Sequence, residues 1–380
     1  MDIFSIIPYF VLSALYLLLG RVVIHFSGFF RRPIPTHSGD RFAAVDGLRG
    51  FLAMGVFFSH CIQHYWYARS GNWGNAPTGF YTMTGQVGVA LFFQITAFLF
   101  WGKVLKSDGH LDTAVLYSGR VRRLVPMYLV SVLLVFVVVA AESDFALQTG
   151  LKDVVKQARG WLAFGFLETA EFNGLRDAHV INAVYWTLAF EWAFYLALPM
   201  LGLFVKPWKF AVLTLIALVY GMRTPIVLNF LCGAVAATIV YRYRLREMLG
   251  RRIAAVVPVA ALTMIFFFFD SAYGVPQSLL LLLFFVFIVH GNDLCGLLAS
   301  KGARFLGEIS YSIYLLHGIV LYVILRVIGK VAPIAAIQDV AYWSVVGAGG
   351  GITILLAAFT YRHIEFRFIR AHVLTASTAT

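Results

Sequence analysis

Apolar runs of about 20 residues recur from one end of this chain to the other, which is the length a helix needs to cross a bilayer. Inside the bilayer only helices and closed barrels satisfy their own backbone polar groups. The composition agrees, because 61% of the 380 residues are hydrophobic and only 13% are charged. We therefore predict an all-α, polytopic transmembrane bundle of about eleven spans. The predicted spans are 4–25, 44–64, 85–105, 124–141, 183–204, 209–222, 224–242, 253–269, 275–291, 307–329 and 340–361.

The distribution of lysine and arginine predicts which side each loop faces. Most of the 30 basic residues fall in one set of alternate loops and ends, and such loops stay in the cytoplasm. The N-terminus is then outside and the C-terminus cytoplasmic. The net charge of +12 is thereby a signal of topology, and we expect no nucleic-acid partner. The residues of this set are Arg21, Arg31, Arg32, Arg41, Arg49, Lys103, Lys106, Arg120, Arg122, Arg123, Lys206, Lys209, Arg242, Arg244, Arg246, Arg251, Arg252, Lys301, Arg304, Arg362, Arg367 and Arg370.

The chain divides into three predicted parts. Residues 1–40 form an N-terminal membrane anchor and a basic cytoplasmic linker, residues 41–370 form the membrane domain, and residues 371–380 form a disordered tail. The cysteines lie in or near apolar runs without paired spacing, which indicates packing rather than a disulfide framework. They are Cys61, Cys232 and Cys295. No spacing typical of zinc ligands is present in the sequence, so we expect no metal.

Arg49 and His60 share one face of the second span. They are eleven residues apart, which is about three helical turns, or about 16 Å along the axis. His64 follows one turn later on the same face. Ionisable groups within a span are costly and need a partner or a water-filled cavity. The pair therefore indicates a path into the membrane, although a snorkelling arginine and a histidine that only bonds a neighbouring helix are the plainer alternatives.

Two other spans carry candidate partners for His60. Glu191 is the one acidic residue predicted to lie well inside the hydrocarbon region, in its outer half, where it either orients His60 or pairs with another base. His317 is predicted near mid-depth on the span 307–329, with hydroxyl residues such as Tyr314 beside it. Polar groups of this kind also join helices without any chemistry, and that alternative stays open.

Two loops suggest ligand binding at opposite ends of the bundle. The cytoplasmic loop before residue 124 carries Arg120, Arg122 and Arg123, and arginine binds phosphate in two-pronged fashion. Simple positive-inside charge is the alternative. The outer segment 65–81 is rich in aromatic residues, which suits either an interfacial belt or a surface that stacks on sugar rings.

Several short motifs occur in order along these spans. They are Asp-Gly-Leu-Arg-Gly at 46–50, the Arg49 and His60 spacing, Arg120 and Arg123, the Trp186, Glu191 and Tyr195 pattern, the run 310–317, and the terminal Tyr361, Ile364 and Glu365. In this order they make residues 41–370 resemble acyltransferase family 3, the integral-membrane O-acyltransferases of glycans. The resemblance implies a ten-helix core that uses cytoplasmic acyl-CoA, usually acetyl-CoA, and an acceptor at the outer side. This chain departs from it by one additional N-terminal span, and we expect no C-terminal hydrolase-like domain.

The resemblance leads to a functional hypothesis. We expect a sugar O-acetyltransferase of a bacterial inner (plasma) membrane, with a glycan or glycolipid acceptor among its partners. His60 is the predicted general base, Glu191 orients it, and His317 positions the acyl group or stabilises the oxyanion. The predicted binders of the acetyl-CoA donor are Arg49, Arg120, Arg122 and Arg123. A covalent acyl-enzyme, a transporter or exporter, and a structural assembly factor are the alternatives, and the sequence leaves open whether a partner completes the transfer.

Overall fold

The computed structural model describes residues 2–31, 42–167, 170–243 and 245–369. This part of the chain is helical, with no β-strand beyond a single bridge between Phe172 and Leu175, which confirms the all-α prediction. The predicted tail 371–380 lies outside the described residues, as do Arg32, Arg41, Arg244, Arg370 and most of the linker. The α-helices are α1 (Ile7–Phe26), α2 (Ala43–Ser70), α3 (Gly79–Lys106), α4 (Thr113–Glu142), α5 (Leu151–Leu162), α6 (Trp186–Leu201), α7 (Pro207–Gly221), α8 (Leu228–Arg242), α9 (Arg246–Leu249), α10 (Val256–Phe268), α11 (Val275–Val289), α12 (Lys301–Glu308), α13 (Ser310–Gly329) and α14 (Asp339–Thr360).

Short helical turns join several of these elements. Most are 3-10 helices, and α14 continues through a π-helical turn and a final α-helical turn to residue 369. The 3-10 helices are Ala178–Ile181, Gly202–Phe204, Pro225–Val227, Arg252–Ala255 and Ile334–Ala336, and the π turn is Tyr361–Glu365.

Eight helices of the described part are long and apolar enough to cross a bilayer, and three shorter apolar helices accompany them. The chain is therefore a multi-pass membrane protein. Each predicted span coincides with one of these helices, while the count of eleven crossings, the domain boundaries and the sidedness stay predictions. The long ones are Ile7–Phe26, Ala43–Ser70, Gly79–Lys106, Thr113–Glu142, Trp186–Phe204, Pro225–Arg242, Ser310–Gly329 and Asp339–Ile369, and the shorter ones are Pro207–Gly221, Arg252–Phe268 and Val275–Val289.

Helices α2 and α3 form the centre of the bundle. In each, 78% of the most apolar window is buried inside the protein, against 17% for α1. Helix α2 packs against α3, α12 and α13, and α3 packs against α8 as well. We call the end where α2 begins and α3 ends the basic end, because Lys103, Lys106 and the arginines at the start of α4 lie there. The end that holds loop 71–78, between α2 and α3, is the aromatic end.

Two glycines in the first turns of α2 allow α12 to lie against its backbone. A Cβ at Gly50 would come within 2.7 Å of the Ala303 carbonyl oxygen and 2.8 Å of the Gly307 nitrogen. A Cβ at Gly47 would likewise collide with the backbone of Leu298. The glycines of the 46–50 motif thus let α12, at Gly50, and the turn before it, at Gly47, pack against α2 on both sides of Arg49.

The segment that precedes α6 runs through the interior of the bundle instead of along its surface. The Asn182 side-chain nitrogen donates to the carbonyl oxygen of Leu315 on α13 at 2.8 Å, and the Tyr185 hydroxyl donates to Ser131 on α4 at 2.9 Å. Gly318 permits the approach, since a Cβ there would lie 2.9 Å from the Ile181 carbonyl oxygen. Helix α6 therefore starts inside the bundle, beside the middle of α13.

The cysteines follow the packing prediction in two of three cases. Cys61 and Cys232 are buried in α2 and α8, and all three thiols are free. The prediction is wrong for Cys295, which is exposed. It lies in the turn before α12 with a positive φ of 59°, where the chain has left the apolar helix α11.

Substitution of Gly50 by alanine should destabilise the protein. Inserting a methyl group into a tight contact costs about 1–3 kcal/mol, and here both nearest atoms are backbone, which cannot rotate away. We expect a lower midpoint of thermal unfolding for the detergent-solubilised variant. Gly351→Ala in α14 is the matched control, because its Cβ would meet only the Leu19 side chain at 3.9 Å. An unchanged midpoint for Gly50→Ala would show that α12 is not fixed against α2.

Candidate active site

Two histidines from different helices meet inside the bundle. The Nδ1 atom of His60 on α2 lies 2.8 Å from the Nε2 atom of His317 on α13, and the rings are stacked with centroids 4.9 Å apart. The His317 side chain is fully buried, whereas His60 is only partly so. The structure thus brings together two of the predicted site residues, 257 positions apart in the chain.

The partners of His317 determine which nitrogen of each ring carries the proton. The Nδ1 atom of His317 lies 3.1 Å from the carbonyl oxygen of Ile313. A carbonyl only accepts, so this Nδ1 is the protonated nitrogen, and the Nε2 atom of the neutral ring must accept. His60 then donates from its Nδ1, which leaves the lone pair on His60 Nε2. An imidazole in that state, held by a hydrogen bond on its other nitrogen, is arranged as a base.

A cavity of about 110 Å³ lies between α2, α3, α4, α6 and α13 on the basic side of this pair. Arginines line it at one end and aromatic rings along its length. It reaches Tyr314, one turn before His317 on α13, and these two rings have centroids 6.1 Å apart. The Tyr314 hydroxyl lies 2.9 Å from Thr187 Oγ1 and donates to it, because the Thr187 proton goes to the Val184 carbonyl.

A second and wider cavity of about 360 Å³ opens at the basic end. It is formed by the end of α3, the following loop and the start of α4, with Lys103 and His110 in its wall. The two cavities share Phe100, Arg120 and Arg123. Arg122 lines only the wider cavity. Because they share these residues, the two cavities adjoin, and together they extend from the basic end inward to Tyr314.

The structure places Glu191 among the arginines, nearer the basic end than the sequence predicts. The residue lines the narrow cavity with Arg49, Arg120 and Arg123 and accepts a hydrogen bond from the Tyr195 hydroxyl. Among the described contacts, those of the His60 ring are with His317 and with Trp73 of loop 71–78, not with Glu191. The prediction counted depth from a surface start of α6, and that helix begins inside the bundle.

Arg120 is held by two aromatic rings. Its guanidinium carbon lies 4.7 Å from the centre of the Phe100 ring and 5.7 Å from that of Tyr195. Cation–π contacts of this kind stabilise a partly desolvated guanidinium. The guanidinium also donates a hydrogen bond to the Tyr195 hydroxyl, so Arg120 is fixed in the wall that the two cavities share.

Glu365 is a buried acid near the arginines that the span prediction missed. It is 1% exposed and accepts a hydrogen bond from Ser312, which in turn accepts one from Thr360 at 3.0 Å. The charges of Arg49 and Arg123 act on it directly. The apolar pattern ends near residue 361, but the helix continues to residue 369 through the π turn. The sequence signal that could have identified Glu365 is its position as an acidic residue just after a predicted span.

The aromatic residues of the segment 65–81 lie in different environments. Tyr65 and Tyr81 are buried in the core at 3% and 1% exposure. Trp73 instead lies over His60, with ring centroids 6.0 Å apart. In the described part of the chain, no group of three His, Cys, Asp or Glu side chains lies together in a way that could hold a metal ion.

Comparisons with known proteins also indicate an acyltransferase. The family model of acyltransferase family 3, described as an acyltransferase domain, matches residues 42–362, from the start of α2 to the π turn. Nodulation protein 10 of Rhizobium leguminosarum bv. viciae is 28% identical over 185 residues, which are 47% of this chain and 48% of that protein. The chain thus spans about half the length of this curated relative. No solved structure matches.

Proposed function

The chain belongs to acyltransferase family 3, and on that premise we propose that it is a membrane O-acyltransferase that moves an acetyl group from acetyl-CoA to a hydroxyl of a glycan. The observation that carries this proposal is the His60–His317 pair, which lies one helical turn beyond Tyr314, a residue that lines the arginine-containing narrow cavity. The proposal takes the basic end as cytoplasmic, in a bacterial inner membrane, with the N-terminus outside and the C-terminus inside. The acceptor, a surface glycan or glycolipid, then approaches from the aromatic end.

The two connected cavities fit an acyl-CoA donor. Its phosphates would meet Arg120, Arg122 and Arg123 at the wide cavity, since guanidinium groups bind phosphate oxygens through paired hydrogen bonds. The narrow cavity has apolar walls suited to an extended, weakly polar arm, with Arg49 as a further cation. Glu191, through Tyr195, then acts on the donor cavity rather than on His60.

The histidine pair supplies acid–base chemistry for direct transfer. His60 Nε2 takes the proton of the acceptor hydroxyl as its oxygen attacks the thioester carbonyl. The resulting imidazolium is stabilised by the lone pair of His317 Nε2, which continues to accept the bond from His60 Nδ1. When the carbon–sulfur bond breaks, the proton on His60 passes to the CoA thiolate. The products are the glycan ester and free CoA, and both histidines return to their starting state.

His60→Ala should abolish O-acetylation. Removal of a general base lowers a rate by about 10²–10⁴-fold, and the variant keeps the donor cavities intact. The measurement is mass spectrometry of surface and secreted glycans from a deletion strain complemented with each variant. Ester should be present with the wild type and absent with His60→Ala.

The matched control is His25→Ala. His25 is exposed at the end of α1, away from both cavities. It should restore ester to the wild-type level, and immunoblots of membrane fractions check that both variants are inserted equally. A wild-type level of O-acetyl ester in the His60→Ala strain would show that His60 is not the general base.

Arg123→Ala should weaken donor binding. A hydrogen bond to a charged group contributes about 1.5–3 kcal/mol, so KM for acetyl-CoA should rise by roughly 10- to 100-fold in membrane vesicles. Arg251→Ala is the control, because Arg251 is an exposed base that donates to the Glu247 carbonyl and lines neither cavity. An equal effect of both substitutions, or none for Arg123→Ala, would remove Arg123 from the donor site.

A further inference from the structure

Trp73 is the centre of a polar and aromatic cluster at the aromatic end of the bundle. Its ring centroid lies 6.0 Å from that of His60, 5.0 Å from His64 and 6.0 Å from Tyr67. These three residues follow each other on one face of α2 at the spacing of i, i+4 and i+7. The loop after α2 therefore folds its one tryptophan back over the face that carries the proposed base.

A second segment closes the cluster from the other side. His179, in the 3-10 helix Ala178–Ile181, has its ring centroid 6.5 Å from that of Trp73. The neighbouring Asp177 accepts a hydrogen bond from the Tyr67 hydroxyl at 3.1 Å. This is the start of the same segment that enters the bundle before α6. We call Trp73, His64, Tyr67, Asp177 and His179 the Trp73 cluster.

Two ring nitrogens of the cluster are buried and have no hydrogen-bond partner among the residues that the structure describes. They are His64 Nε2, on a side chain only 6% exposed, and His179 Nδ1. A buried polar atom without a partner costs free energy comparable to a lost hydrogen bond, so each such atom needs an explanation. A hydroxyl group that enters the cluster beside the indole is one partner that these nitrogens could take.

We propose that the Trp73 cluster is the acceptor subsite and that it holds one uncharged sugar ring of the glycan. The inference rests on the proposed function. A sugar ring has an apolar face of C–H bonds, which suits the indole, and a rim of hydroxyls, which suits the imidazoles, the Tyr67 hydroxyl and the Asp177 carboxylate. Since Trp73 also contacts His60, a ring held there presents a hydroxyl to His60 Nε2. Trp73 is thus a positioning residue.

An interfacial aromatic belt is the competing explanation, and Trp66 illustrates it. Trp66 lies on the last turns of α2, half-buried against the apolar core formed with α14. Belt residues of this type anchor the protein at the headgroup level and need no unpartnered imidazole nitrogens around them. The Trp73 ring has three histidine rings around it, from α2 and from the segment before α6, which that explanation does not account for.

The test uses membrane vesicles that carry the full chain, radiolabelled acetyl-CoA, and ester-free envelope glycan extracted from the deletion strain as the acceptor probe. Initial rates are measured against glycan and against acetyl-CoA. We expect Trp73→Ala to raise KM for the glycan by roughly tenfold, the loss of about one aromatic contact, with KM for acetyl-CoA within about twofold of wild type. Trp73→Phe should recover most of the glycan affinity. His64→Phe, which keeps a ring but removes Nε2, should also raise KM for the glycan.

Trp66→Ala is the matched control and should leave KM for the glycan unchanged. Binding of acetyl-CoA reports that each variant is folded, because the donor cavities lie toward the basic end. Wild-type vesicles that acetylate the glycan while Trp73→Ala and His64→Phe show an unchanged KM for it would overturn the subsite alone. Wild-type vesicles that transfer no acetyl group would overturn the proposed function and the subsite with it.

Discussion

One hydrogen bond, from His60 Nδ1 to His317 Nε2, joins helices α2 and α13 and links the protonation states of the two rings. His60 is the donor in this bond, because the other nitrogen of His317, Nδ1, donates its proton to the Ile313 carbonyl oxygen. The free lone pair on His60 Nε2 follows from that arrangement. In hydrolase triads a carboxylate orients the histidine, and here a second, neutral imidazole has that position. A neutral partner thereby orients an imidazole inside the bundle, and in the proposed function this imidazole is the base.

The charged side chains lie toward the basic end, around the two cavities, where an opposite charge and aromatic rings compensate them. A charged side chain at the bilayer centre costs about 2.5–3.5 kcal/mol on insertion scales. Arg49 and Arg123 share the field of the buried Glu365, and Arg120 is held between Phe100 and Tyr195. Arg120 and Arg123 nevertheless line both cavities, so positive charge remains at the cavity walls. In the proposed function, the phosphates of the donor complete this charge balance.

Sequence patterns predicted the helices well, because apolar runs of spanning length leave the chain few other structures in a bilayer. The common face of Arg49 and His60 follows from helical periodicity alone. The pattern failed where long-range contacts decide position. Glu191 is nearer the arginines than predicted because Asn182 bonds to Leu315 and draws the start of α6 into the bundle. The contact of Trp73 with His60 depends on the path of a loop, on which apolar periodicity has no bearing.

The central claim is that donor and acceptor reach one histidine pair from opposite ends of the bundle. Purified protein reconstituted into sealed vesicles tests it most directly, with ester-free glycan enclosed and labelled acetyl-CoA, which does not cross the bilayer, supplied outside. The account predicts labelled ester on the enclosed glycan, formed by the molecules whose basic end faces outward. Label that appears only when glycan and acetyl-CoA are on the same side of the membrane would contradict it.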